Sequence, residues 1–419
     1  MLDLGHAWRR FVRLPVAILY AALLLPTLWQ TGDSARASEN PQWSVAIFDS
    51  DPDHLWNRLY AALWLREDTR GTRYGNDTLD PPLWLESENL LSQPSHSRAL
   101  HALDAFLQTH AENLIHDPLK RAIFQRDLWT VFYWSVQQTS ASGRPKYDRQ
   151  KRELQIRLAE VLRRLALSRS QIEALPDNYA QAVSSGGFAK QYDPRYRERP
   201  FLPPDLFDGI GPWVFLDNYV NPEPVAASHI ASFSGRSSFL IFLRLPGGRK
   251  ATVDYVRALW NFPEPWVHGE FGHDEVDSNP KLPAFPAGTE VALVREMNLF
   301  DDQGELVAAP ITESVQIRVY REITQTPAHY VSGNVGDMLR NSGQDFFQFT
   351  LSRHLLFLNT SGGLRARGWG ERTISVCTKR GRPDRSIGGR LRTTKHMGSC
   401  APSLPQLPLW RRHSFFEFP

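Results

Sequence analysis

The stretch 287–321 constrains the fold more than any other part of this chain. Val291, Leu293, Met297 and Leu299 alternate with residues 290, 292, 296 and 298, which is the period of a β-strand. Asp301-Asp302-Gln303-Gly304 follows with turn chemistry, since Gly adopts positive φ without strain. Val315, Ile317 and Val319 then alternate with more polar residues. The pattern predicts two antiparallel strands with one face against a core.

Residues 38–183 have helical rather than strand periodicity. A first helix is predicted after Ser50-Asp51-Pro52-Asp53, a second near 97–114, and a third from the cap pair Asp117-Pro118. An amphipathic fourth covers 146–167, and Ser170 is predicted to cap a short fifth helix. Helices joined by short connections favour an antiparallel helical array.

The remainder of the body is predicted to be mostly β-structure. Residues 184–224 are irregular but aromatic, which is typical of a packed connecting segment. The β-rich region, 225–364, opens with a predicted hairpin at 225–245 that turns at Ser234-Gly235-Arg236, followed by a helix at 252–260. The segment 345–358 fits either a strand or a helix. The predicted fold class is therefore α+β, with an N-terminal helical array followed by a mostly antiparallel β-rich region.

Residues 1–37 have the three parts of a secretory signal peptide. Three arginines precede the apolar run 14–29, and Ala35-Arg36-Ala37 gives an A-x-A site with cleavage expected before Ser38. The alternative is an uncleaved anchor, but the apolar run is shorter than the roughly 20 residues that span a bilayer. We expect a periplasmic or secreted bacterial protein with no stable membrane span after cleavage.

The composition changes abruptly at residue 365. Residues 365–419 hold ten Arg and two Lys against three acidic residues, whereas the first 364 residues hold 36 basic and 42 acidic ones. An acidic body does not favour nucleic-acid binding. The two cysteines of the chain, Cys377 and Cys400, both lie in this basic tail. The tail fits a disordered extension or a segment translated out of frame, in which case a C-terminal haem or metal motif would have been lost.

A metal site is the first candidate for chemistry. Residues 268–277 place imidazoles and carboxylates close together in sequence, which are ligand types for Zn²⁺. Gly269 and Gly272 oppose a helix that would align the ligands, so a solvated loop is the favoured interpretation and no cofactor is evident. The candidate ligands are His268, Glu270, His273 and Asp274.

A second candidate consists of three carboxylates among aromatic residues. Asp205, Asp208 and Asp217 lie near Phe207, Trp213 and Phe215, a combination that glycoside hydrolases use. The competing interpretation is that these aspartates cap turns.

Three functional hypotheses remain open. The favoured one is an exported binding or structural protein without catalytic residues, because no motif of a nucleophile elbow or phosphate loop is present. The alternative is a hydrolase, carbohydrate-directed or metal-assisted, with a site between the helical and β-rich regions. The third is a redox protein that lacks its cofactor motif.

Overall fold

The fold is described from a computed structural model. It describes residues 46–67, 73–74, 89–138, 147–218, 225–226, 229–230, 233–264, 266–268, 276–279, 281–322 and 343–367. The predicted signal peptide and the tail beyond residue 367 lie outside these described residues.

Helices dominate the first half of the described chain, as predicted. They are α1 Leu55–Trp64, α2 Ser95–Gln108, α3 Pro118–Gln137, α4 Asp148–Leu165, α5 Arg169–Glu173 and α6 Asn178–Ser184. The cap predicted for α3 is confirmed, because Asp117 Oδ1 accepts hydrogen bonds from the backbone N–H groups of Leu119 and Lys120. The cap predicted for α5 is wrong. Ser168 is the cap and forms a capping box with Gln171, whereas Ser170 lies inside the helix.

A six-stranded antiparallel sheet forms the second half of the fold. Its order is β10-β9-β8-β7-β4-β3. The strands are β3 Val214–Phe215, β4 Ser237–Arg244, β7 Thr289–Phe300, β8 Leu306–Tyr320, β9 Gln344–Leu351 and β10 Leu364–Ala366. Two short hairpins, β1 Arg66–Glu67 with β2 Arg73–Tyr74 and β5 Trp266–His268 with β6 Val276–Ser278, stand outside it. Helix α7 Gly248–Trp260 and the short helix α8 Arg353–Phe357 complete the described α-helices. Helices followed by an antiparallel sheet confirm the predicted α+β class.

The central hairpin is confirmed, but its exposure was predicted wrongly. β7 and β8 pair antiparallel around the turn at residues 301–304, with a register shift near Arg295 and Glu296. β7 is a central strand, and both of its faces are buried. Ala292 and Val294 belong to the large hydrophobic cluster, whereas Val291 and Leu293 belong to a second cluster that includes Val256 of α7.

Three further predictions in the β-rich region need correction. The hairpin predicted at 225–245 is not formed, because β4 pairs with β3 and β7 instead. The described residues just before β4 lie in turns or helical turns rather than in a strand. β3 lies inside the segment predicted to be irregular. The segment 345–358 contains both predicted alternatives, β9 followed by α8.

The large hydrophobic cluster joins the helical region to the sheet. It runs from Phe48 through the helices to Val315, Ile317 and Leu364 in the sheet. The described chain continues past the predicted boundary at Leu364, because Arg365 and Ala366 pair with β9 as part of β10. Within the described residues, no helix combines the length and apolar character needed to cross a bilayer.

Candidate functional site

The three aspartates predicted from the sequence do not converge on one point. Asp217 Oδ1 accepts a hydrogen bond of 2.8 Å from the backbone N–H of Val225, so it closes the turn after β3. Asp208 is exposed, and its backbone N–H contacts the carbonyl of Asp205 at 3.4 Å, which makes residues 205–208 a turn. The turn-capping interpretation is therefore the one that the contacts of Asp217 support.

The charge of Asp205 acts on a carboxyl group that the sequence analysis missed. Glu290, at the start of β7, is 8% exposed, and its Oε2 lies 3.4 Å from Arg244 Nη1 on β4. Burial raises the pKa of Glu290 to about 7; Arg244 opposes this shift and Asp205 adds to it. A carboxyl group with such a pKa exists in both protonation states near neutral pH, which is the condition for general acid–base chemistry.

Aromatic side chains pack together at Phe207, close to Asp205 in the chain. Phe207 is 41% exposed and packs edge-on against Tyr179 of α6 and Phe242 of β4, at ring separations of 4.8 and 5.3 Å. The Tyr179 hydroxyl donates a hydrogen bond of 2.6 Å to the carbonyl of Pro203. The group thus lies where the helical region meets the sheet. No sequence pattern identifies it, since its members come from four separate elements.

The predicted metal site receives no support from the described residues. The backbone of His268 ends β5, whereas Glu270, His273 and Asp274 lie outside the described residues. In the part of the chain that the structure does describe, no three His, Cys, Asp or Glu side chains are grouped as metal ligands would be.

Two fully buried ion pairs join α3 to its neighbours. Glu313 is the residue of β8 that the register shift between Arg295 and Glu296 leaves without a partner on β7. Its Oε1 lies 2.8 Å from Arg126 Nε, its Oε2 lies 3.0 Å from Arg295 Nε, and Ser237 donates to it at 2.6 Å. These contacts enclose the buried carboxylate, and the Arg126 and Glu313 side chains are both 0% exposed, so we interpret the cluster as structural.

The second pair links α3 to α8. Arg353 donates from Nε to Asp127 Oδ2 at 2.9 Å, and its Nη2 donates to the other carboxylate oxygen. The same guanidinium lies over the rings of Tyr60 and Trp64, at 5.4 and 5.2 Å from their centroids. Both charges are enclosed by protein, and neither is placed to meet a ligand.

The surface between α1 and α2 contains a groove of about 480 Å³. Exposed basic side chains stand on both walls, and small side chains form its floor. The lining residues are Arg58, Ala61, Ala62, Ser97, Arg98, His101 and Ala102. Among these described residues none is acidic, so the groove presents uncompensated positive charge.

Comparison with known protein families found none that matches this chain. Comparisons with curated proteins and with solved structures likewise found no match.

Proposed function

We propose that this chain is an exported protein that binds an acidic peptide segment in the groove between α1 and α2, and that it has no catalytic role of its own. The observation that carries the proposal is the charge of the groove. Arg58 on α1 and Arg98 on α2 are exposed on opposite walls, and no lining residue offsets them. Arginines on two sides of a groove favour an anionic chain that passes between them.

The groove floor supports an extended ligand rather than a small molecule. Ala61, Ala62 and Ala102 carry only methyl groups, which lets a bound chain approach both helices closely. The groove is also open to solvent, whereas small-molecule sites enclose most of their ligand. A segment with carboxylates spaced along it would place one beside each arginine.

The test is fluorescence anisotropy with a short fluorescein-labelled peptide of alternating Glu and Gly. Surface ion pairs are worth up to about 1 kcal/mol each, so Arg58→Gln and Arg98→Gln should each raise Kd about two- to fivefold. Affinity should fall as salt is added. Arg149→Gln is the matched control. Arg149 is an 82% exposed arginine on helix α4 and does not line the groove. Equal affinity of the four proteins, or no saturable binding at all, would refute the proposal.

Export is the second part of the proposal and rests on the signal-like residues 1–37. The positive segment, short apolar run and A-x-A site support cleavage before Ser38 and a periplasmic or extracellular location. N-terminal sequencing of the protein recovered outside the cytoplasm should start at or near Ser38. Recovery of a protein that begins at Met1 would refute cleavage.

A carbohydrate-directed hydrolase is the second candidate, and the raised pKa of the Glu290 carboxyl group, to which the charge of Asp205 contributes, favours it. Glu290 would donate its proton to the glycosidic oxygen as the C–O bond breaks, while Asp205 accepts a proton from the attacking water. Hydrolysis of 4-nitrophenyl glycosides that disappears in Glu290→Gln but persists in Glu305→Gln, an exposed glutamate of the β7–β8 turn, would support this candidate. No hydrolysis by the folded wild-type protein would exclude it for those substrates.

A further inference from the structure

A buried carboxylate near the start of β9 organises a second cluster of charges. The Asp345 side chain is 0% exposed, and it accepts hydrogen bonds from Arg197 at 2.9 and 3.1 Å from Nε and at 2.5 Å from Nη2. Arg321, at the end of β8, lies with Nε 3.0 Å from Asp345 Oδ2. The Tyr192 hydroxyl donates to the same oxygen. Asp345 therefore holds two guanidinium groups that come from distant parts of the chain.

The charges of this cluster do not cancel. Burial by itself would raise the pKa of Asp345, but the hydrogen bonds from Arg197 and Tyr192 and the charge of Arg321 lower it overall. Burial raises the pKa of Tyr192, so its hydroxyl stays neutral. Two cations thus face one anion, and the cluster has a net charge of one positive unit. The carboxylates Glu198 and Glu322 are exposed; the hydrogen bonds with Asp345 are the main reason that the pKa of Arg197 is raised, and Glu198 adds a smaller contribution.

Both guanidinium groups retain nitrogen atoms that do not contact Asp345. Arg197 uses Nε and Nη2 for the carboxylate, and Arg321 uses Nε. Within the described residues, no contact occupies Nη1 of Arg197 or either terminal nitrogen of Arg321. Arg197 is 41% exposed and Arg321 is 24% exposed, so a solvent-borne anion can reach both.

We propose that Arg197 and Arg321 form a binding site for a dianionic oxyanion of the phosphate type. Guanidinium donors recognise such anions through paired hydrogen bonds, and the net positive charge of the cluster attracts them. Asp345 acts as the positioning residue, because it fixes both arginines before the ligand arrives and reduces the ordering that binding requires. This inference is independent of the groove between α1 and α2, which lies on other elements.

The experiment is isothermal titration of the full chain with inorganic phosphate at constant ionic strength, together with thermal unfolding in the same buffers. Phosphate should bind saturably and raise the melting temperature, as any ligand that binds only the folded state does. Arg197→Gln and Arg321→Gln should each raise Kd about tenfold or more, because each removes a charge-assisted pair of donors. Arg197→Lys keeps the charge but not the paired geometry and should also weaken binding.

Arg195→Gln is the matched control. Arg195 is two residues from Arg197 and pairs with Asp193 in a similar way, but it is 79% exposed, and among the described residues Asp193 contacts no second arginine. Its replacement should leave phosphate affinity unchanged. Acetate at equal ionic strength tests for a general carboxylate site and should bind at least tenfold more weakly than phosphate. Absence of saturable phosphate binding, or equal loss in Arg195→Gln and Arg197→Gln, would overturn the proposal.

Discussion

Glu296 on β7 allows a direct test of how much the ionisation of a buried carboxyl group destabilises this fold. Burial raises the pKa of Glu296 from its ordinary value of 4.5 to about 7, and the carboxylate of Asp177 adds to the shift. Within the described residues Glu296 has neither a hydrogen bond nor a cation as partner. Its ionised form is therefore penalised in the folded state and not in the unfolded one.

The sign of the pH dependence follows from this difference. Below pH 4.5 the carboxyl group is protonated in both states, and the contribution to stability is at its maximum. Between about pH 4.5 and 7 the unfolded state loses the proton first, so the free energy of unfolding falls as pH rises. Each pKa unit corresponds to about 1.4 kcal/mol, so the shift of Glu296 costs at most about 3.5 kcal/mol at pH 8.

Replacing Glu296 with Gln removes the titration while keeping the shape of the side chain. Urea unfolding should give similar stabilities for wild type and Glu296→Gln at pH 4.5, with the variant more stable by up to about 3.5 kcal/mol at pH 8. Glu305→Gln is the control, because Glu305 is exposed in the adjoining turn and should show no such divergence. A Glu296→Gln variant that matched wild type at pH 8, or was less stable, would refute the reasoning.

Three other perturbations test the fold. Ile317→Asp places a charge at a fully buried site of β8 and should lower the free energy of unfolding by more than about 3 kcal/mol. Gln316→Asp changes the opposite, half-buried face and should lower it by less than about 1 kcal/mol. Equal melting temperatures of the two variants would contradict the assignment of Ile317 to the core face of β8. Arg353→Leu should cost about 3–5 kcal/mol because it strands a buried carboxylate, and adding Asp127→Leu should recover part of that loss in a double-mutant cycle. Deleting 368–419 should leave the melting temperature unchanged, since that segment has no apolar period; a shortened protein that fails to fold would contradict this.

The sequence predicted correctly those elements that depend on residues close together in the chain. The β7–β8 hairpin follows from alternation and turn residues, and the start of α3 follows from Asp117-Pro118. Alternation alone could not show that Glu290 and Glu296 are covered, because the covering residues come from the segment around 178–207. Asn178, for example, donates to the carbonyl of Thr312 across that face of the sheet.

The functional candidates were harder to predict for the same reason. Asp345 meets Tyr192, Arg197 and Arg321 only when the sheet and the preceding loop are assembled. The sequence analysis instead favoured residues that are close in the chain, such as Asp208 and Asp217, which the fold uses in separate turns. Closeness in the chain therefore predicts turns and helix caps, but it does not predict which charged side chains meet in the folded protein.

The central claim is that the groove between α1 and α2 binds an acidic segment, and hydrogen–deuterium exchange tests it most directly. The full chain should be measured with and without the Glu/Gly peptide at low salt. We expect slower exchange confined to α1 and the first turns of α2, where Arg58 and Arg98 lie, and no such change in an Arg58→Gln/Arg98→Gln protein. Unchanged exchange in α1 and α2 of the wild type at saturating peptide, or protection centred on Asp205 and Glu290 instead, would contradict the claim.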